Sequence, residues 1–338
     1  MPRFTIITLI IILIFCLPFH SSKEYSIQDY GLRKKGVKKH QEIIFVHIPK
    51  TAGMSFRFTI NNHGKFGAEH TEKCYVELYE KYIKKNDGEP FSVAFFRSPR
   101  AHVLSQFLEC KYDNWGKRVT KGTEFPRHAS DRKDFEVWVN YFYDSWNKKN
   151  ENATREIELD SFHCYHPYNL QSRAMSDDCI AQHYLSPTQS TKGMGIIAIE
   201  NMMSLTCVGI TELYAASLCL FWVKAGHTET MDLFCNPALE SYYSESHVTH
   251  HVPEHKTSDI HEGIWKKVDK MTLFDLILYQ NAVVRFLHEF DRLVTKARYS
   301  KVTVCSFKNM HVELIISAFD KQDSHYSYVM TTLKKCLD

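Results

Sequence analysis

Residues 43–56 read Ile-Ile-Phe-Val-His-Ile-Pro-Lys-Thr-Ala-Gly-Met-Ser-Phe, and they constrain the fold more tightly than any other stretch. The run Ile43 to Ile48 has the length and β-branched content of a strand buried on both faces. It breaks at Pro49, passes Lys50 and Gly53, and re-enters a helical pattern from Ser55. A strand, a tight turn and a helix N-terminus leave backbone N–H groups exposed together, which makes an anion site, usually for phosphate. Lys50 adds a mobile point charge beside it. The turn is not a Walker A loop: Gly-x-x-x-x-Gly-Lys-Ser/Thr is absent, and the lysine precedes the glycine.

A second segment, residues 92–108, again runs from strand to helix. Ser98 suits an N-cap and Pro99 the first helical position. Ala101, Leu104 and Leu108 mark the packed face, and Ser105 lies beside that stripe, where a polar group needs a reason. Arginine offers a planar fork for phosphate and a serine hydroxyl donates one more hydrogen bond. Taken singly, an arginine at a strand end and a small packing serine are commonplace.

The order Pro-Lys-Thr-Ala-Gly-x-Ser-Phe after an apolar strand resembles the 5′-phosphosulfate loop of sulfotransferases. The similarity is closest to Golgi carbohydrate sulfotransferases of the heparan sulfate 2-O/6-O-like kind. Arg97, with Ser105 eight residues later, resembles the family's 3′-phosphate site. The resemblance spans roughly residues 43–295, strong in the two phosphate motifs and weak elsewhere. It implies 3′-phosphoadenosine 5′-phosphosulfate (PAPS) as co-substrate and no metal. It also implies a 5′-phosphosulfate held by Lys50, Thr51, Ala52, Gly53, Met54 and Ser55, and a 3′-phosphate held by Arg97 and Ser105. Val208 to Glu212 and Asp275 to Tyr279 are similar to later family landmarks, and His255-Lys256-Thr257 falls where relatives close a basic loop over the nucleotide. A solvated polar loop is the competing reading at Lys256.

The implied fold is α/β: a P-loop-like three-layer arrangement with a mostly parallel central sheet flanked by helices, plus an N-terminal membrane anchor. The expected organisation is a tail and signal anchor over 1–20, a stem over 21–42, a sulfotransferase domain over 43–300 and a C-terminal extension over 301–338. Gly195–Glu200 and Thr206–Ile210 read as further strands, Glu212–Val223 as an apolar helix and Met271–Leu293 as an amphipathic one. The helical patch Phe135 to Trp146 lies in a stretch, 111–192, expected to shape the acceptor site. Tyr141, Tyr143 and Trp146 could stack on sugar rings, although such spacing also describes core aromatics.

A chain of 338 residues, 44% hydrophobic and 13% aromatic, is that of a folded body with a large core and not of a disordered one. A net charge of +3 does not imply nucleic-acid binding, and none is expected. Phe4 to Phe19 is nearly all apolar: short for a span, it fits a thin bilayer, with a cleaved signal peptide as the alternative. Charge flanking is ambiguous, with Arg3 before it and Arg33, Lys34, Lys35, Lys38 and Lys39 after. The resemblance implies type II topology in the Golgi membrane with a lumenal catalytic domain. Ten cysteines are compatible with an oxidising compartment; Cys164–Cys179 is the expected disulfide and Cys219 an expected buried thiol. Asn152-Ala153-Thr154 is a glycosylation sequon.

Sulfuryl transfer to a hydroxyl needs a base for the proton and positive charge where the phosphate leaves. Lys50 suits the second task. The resemblance places the base between the two phosphate motifs, and Ala68-Glu69-His70-Thr71-Glu72 resembles the family's segment around its base histidine. His70 is therefore the expected base, with His63 and the glutamates 69, 72, 77, 80 and 89 as alternatives. His247, His250 and His251 share a helical face, but Pro253 interrupts before His255, so a polar loop is expected in place of a metal site. The expected activity is transfer from PAPS to a glycan hydroxyl by direct in-line displacement. A small-molecule or lipid acceptor, a non-catalytic glycan-binding relative and a P-loop-like nucleotide hydrolase or kinase are the alternatives.

Overall fold

The computed structural model describes residues 43–63, 72–127, 129–151, 164–176, 193–240, 252, 257–295, 301–308, 310–319 and 325–336. The expected anchor and stem, His70, Asn152, Cys179 and Lys256 lie outside these residues. Among the described residues no helix is long and apolar enough to cross a membrane.

The chain is α/β, with a small parallel sheet flanked by helices. In order come β1 (Ile43–Val46), α1 (Gly53–His63), α2 (Tyr75–Ile83), β2 (Phe91–Phe96), α3 (Pro99–Tyr112), α4 (Asn114–Val119) and α5 (Asp131–Glu151). Then follow α6 (Leu170–Met175), α7 (Met194–Ser204), β3 (Cys207–Ile210), α8 (Tyr214–Ala225), α9 (Thr228–Phe234), α10 (Glu262–Met271), α11 (Leu273–Phe290), α12 (Val312–Ile316) and α13 (Tyr326–Leu333). The strands pair in the order β1-β2-β3, all parallel, with Phe45 opposite Val93 and Val93 opposite Cys207. Every strand residue is buried, as a parallel sheet covered on both faces requires. On one face Phe56 of α1 meets Phe45, Phe95 and Phe221 of α8, at ring separations of 4.9–5.0 Å.

A second apolar cluster lies around α3, α5 and α10, with Phe107, Phe135, Trp138, Phe142 and Trp265 at its centre. It confirms the helical patch around 135–146 and shows its inward aromatic residues to be core. Tyr143 is half-buried, and Tyr141 packs edge-on against Phe142. Residues beyond 301, expected as an extension, send Val304, Phe307, Val312, Ile315, Phe319, Val329 and Leu333 into the main core.

Three expectations are corrected. Gly195–Glu200 is helical, within α7: Met194, Ala198 and Met202 are buried at helical spacing, while Ile196 and Ile197 are 50% and 36% exposed. Their β-branched run imitates a strand in sequence. Cys164 pairs with Cys110 and not with Cys179. Cys110 is wholly buried near the end of α3, so the helix delivers a partner 54 residues away that local loop length does not reveal. Cys219 is no free thiol; it pairs with Cys235 at the end of α9. Cys305 pairs with Cys336, Cys74 is also disulfide-bonded, and Cys207 is free and buried. The amphipathic run expected over Met271–Leu293 is α11, separated from α10 by Thr272 and closed by a π turn over Asp291–Thr295.

Candidate anion-binding site

All three strands end at one edge of the sheet, and each delivers a polar group there: the 47–53 turn after β1, Arg97 and Ser98 after β2, Glu212 after β3. The carboxyl edge of a parallel sheet is where open α/β folds bind ligands.

The turn is shaped from behind. Thr51 Oγ1 donates to the Ile48 carbonyl at 2.9 Å, His102 Nε2 lies 2.7 Å from the Pro49 carbonyl, and Arg97 Nη1 donates to the Lys50 carbonyl at 3.1 Å. Three successive carbonyls are thus turned into the protein. Among the described residues the backbone N–H groups of Lys50, Thr51, Ala52, Gly53 and Ser55 have no acceptor. Lys50 and Ala52 sit at φ +65° and +67°, left-handed positions that cost a non-glycine residue roughly 1 kcal/mol or more each. Left-handed residues spaced this way gather successive N–H groups into an anion-binding concavity. Gly53 is required for a different reason: a Cβ there would lie 2.0 Å from His47 Cδ2.

One face of α3 supplies the rest. Ser98, His102, Ser105 and Glu109 recur at helical spacing. His102 holds the Pro49 carbonyl and Glu109 forms an ion pair with Lys50. Ser105 lies between them, buried, its hydroxyl with no hydrogen bond among the described residues. Burial lowers the His102 pKa to about 3, against the Pro49 carbonyl, with Arg97 and Lys50 adding to the depression. The ring is therefore neutral, carries its proton on Nε2, and takes a second contact from Gln106 Nε2 on Nδ1 at 3.1 Å.

Arg97 is positioned by its backbone. The Gln171 side chain accepts from its N–H at 2.9 Å and donates to its carbonyl at 2.8 Å. Gln171 is set in turn by Asp275, which accepts from the N–H groups of Gln171 and Ser172. Glu212 accepts from the Ser98 N–H at 2.8 Å and from Tyr279 at 3.1 Å. Among the described residues the half-buried Arg97 guanidinium has no carboxylate within ion-pair distance, and its bond to Lys50 leaves the remaining N–H groups without an acceptor. Burial lowers its pKa, and Glu212 and Tyr279 oppose that only partly. A desolvated cation with an open fork is a receptor for an anion.

Lys50, Thr51, Ala52, Gly53, Met54, Ser55, Arg97 and Ser105 thus lie at this strand edge or on the α3 face beside it. His63 does not: it is exposed at the far end of α1, about 15 Å along the helix from Gly53, against Phe234. Glu77, Glu80 and Glu89 are occupied by Lys73, Lys84 and Tyr79. Glu109, His102, Gln171 and Glu212 carry roles that the motifs do not assign. Their signal is a polar stripe through an otherwise apolar helix and polar residues just past strand ends.

Comparison of the chain with protein-family models, with curated proteins and with solved structures finds no match.

Proposed function

We propose that this protein is a PAPS-dependent sulfotransferase that moves a sulfuryl group to a hydroxyl, on a glycan acceptor. The carrying observation is the hydrogen bond from Arg97 to the Lys50 carbonyl at 3.1 Å, which joins the N–H concavity and the open arginine fork at one strand edge. PAPS carries anions at both ends of its nucleoside, and two adjoining anion receptors fit that distribution. The finer architecture proposed is the P-loop-like three-layer arrangement, with a signal anchor holding the domain in the Golgi lumen.

In this reading Thr51, Ala52, Gly53, Met54 and Ser55 bind the 5′-phosphosulfate, and Arg97 with Ser105 binds the 3′-phosphate. Lys256 contributes a further positive charge to nucleotide binding. The acceptor oxygen attacks sulfur in line; the bond from sulfur to the bridging phosphate oxygen breaks as the new sulfur–oxygen bond forms. His70 takes the acceptor proton, and the leaving 3′-phosphoadenosine 5′-phosphate departs with its new charge beside the Lys50 ammonium.

The test offers radiolabelled PAPS with a panel of glycans and small alcohols, in wild type, Lys50→Ala and His70→Ala. Label should pass to a glycan. Single-turnover transfer should fall about 10²–10⁴-fold in His70→Ala, with nucleotide affinity near wild type. No transfer to any acceptor, or a Lys50→Ala enzyme at full speed, would overturn the reading.

A further inference from the structure

Lys50 is not waiting free for an anion. Its ammonium is ion-paired with Glu109, and the side chains are only 14% and 8% exposed. Among the described residues no other carboxylate forms an ion pair with it. Burial, with Arg97 adding to it, lowers the Lys50 pKa by more than Glu109 and Asp113 together raise it, so the ammonium is under-solvated even with its partner. Asp113 lies further off and adds a smaller attraction, while Arg97 repels. The lysine nearest the N–H concavity is therefore already neutralised, from the same α3 face that carries Ser105.

We propose that Glu109 is a counter-ion latch on Lys50, which an incoming phosphate ester must displace and which recaptures the lysine when the product nucleotide leaves. The inference rests on the donor-site reading for the identity of the anion, but the exchange itself needs only an anion in the concavity. A ligand that competes with an internal partner binds more weakly by the fraction of time the partner lets go. Glu109 thus lowers the affinity for both donor and product. A brace would act in the opposite sense: a carboxylate that merely held Lys50 in place for the ligand would, on removal, weaken binding.

The experiment measures affinity and dissociation rate for 3′-phosphoadenosine 5′-phosphate and for inorganic pyrophosphate in the full chain. Glu109→Gln should bind both more tightly, by about tenfold if the latch is closed nine-tenths of the time. In a Lys50→Met background the same substitution should change affinity less than twofold, because the latch as proposed acts through that ammonium. Should Glu109→Gln fail to fold with an uncompensated buried lysine, Glu109→Asp, one methylene short, should still tighten binding severalfold. Unchanged or weaker binding in folded Glu109→Gln and Glu109→Asp overturns the latch and leaves the donor reading intact. Equal tightening in the Lys50→Met background also overturns it, since the effect would then be a general field. Tighter pyrophosphate binding with no 3′-phosphoadenosine 5′-phosphate binding in any variant supports the latch and removes the donor reading. Binding of neither anion removes both.

Discussion

Arg97 combines two properties: a backbone clamped on both sides by Gln171 and, among the described residues, a guanidinium with no carboxylate partner. The clamp fixes where the fork points, and the missing partner leaves it for a ligand. Truncation should therefore act on binding before it acts on the fold. Arg97→Ala is expected to weaken 3′-phosphoadenosine 5′-phosphate binding by roughly 2–3 kcal/mol, the usual worth of a charge-assisted contact, and Ser105→Ala by less. Titration calorimetry on the two variants, beside a thermal melt, checks both. Unchanged affinity in both would separate the 3′-phosphate from these residues.

At the scale of one element, α3 both braces the turn and lines the site, and His102 is its buried link. The sign of its titration follows from a folded-state pKa of about 3 against an ordinary 6.5. The folded protein favours the neutral ring, so the contribution is complete above pH 6.5 and declines as pH falls toward 3. At pH 5 the loss from this group is about 2 kcal/mol relative to neutral pH. Urea unfolding of wild type at pH 7.5 and pH 5 should show that loss, and His102→Gln should lose less of its own stability over the same range. An identical slope in both would mean that the ring titrates in the folded state.

The same helix shows how far sequence carries the site. Lys50, Gly53, Arg97 and Ser105 are legible because their roles are local: a turn, a strand end and a spacing along one helix. Glu109 and His102 are not, since their partners lie 59 and 53 residues away and only the fold brings them together. The strands after Ile43 and Thr206 are legible from apolar runs bounded by turn residues. The run at Gly195 misleads because Ile196, Ile197 and Ile199 carry strand propensity, while burial selects Met194, Ala198 and Met202 on a helical face.

For the molecule as a whole, the cysteines decide the most. Three disulfides join described residues, and each closes a different region: Cys110–Cys164 in the second cluster, Cys219–Cys235 behind the sheet, Cys305–Cys336 in the C-terminal segment. Such usage fits an oxidising compartment. Protein made through the secretory pathway should show these six thiols protected from alkylation until reduction, Cys207 blocked only by burial, and Asn152 glycosylated. Free thiols at Cys110 and Cys164 with an unmodified Asn152 would place the domain elsewhere.

The three carbonyls held from behind at Ile48, Pro49 and Lys50 carry a consequence for timing. A turn already drawn into shape by Thr51, His102 and Arg97 has lost its conformational freedom during folding, so an arriving anion has nothing left to order there. Recognition at this turn then proceeds at the pace of collision and of one lysine changing partners, and no slow rearrangement of the backbone stands between encounter and capture.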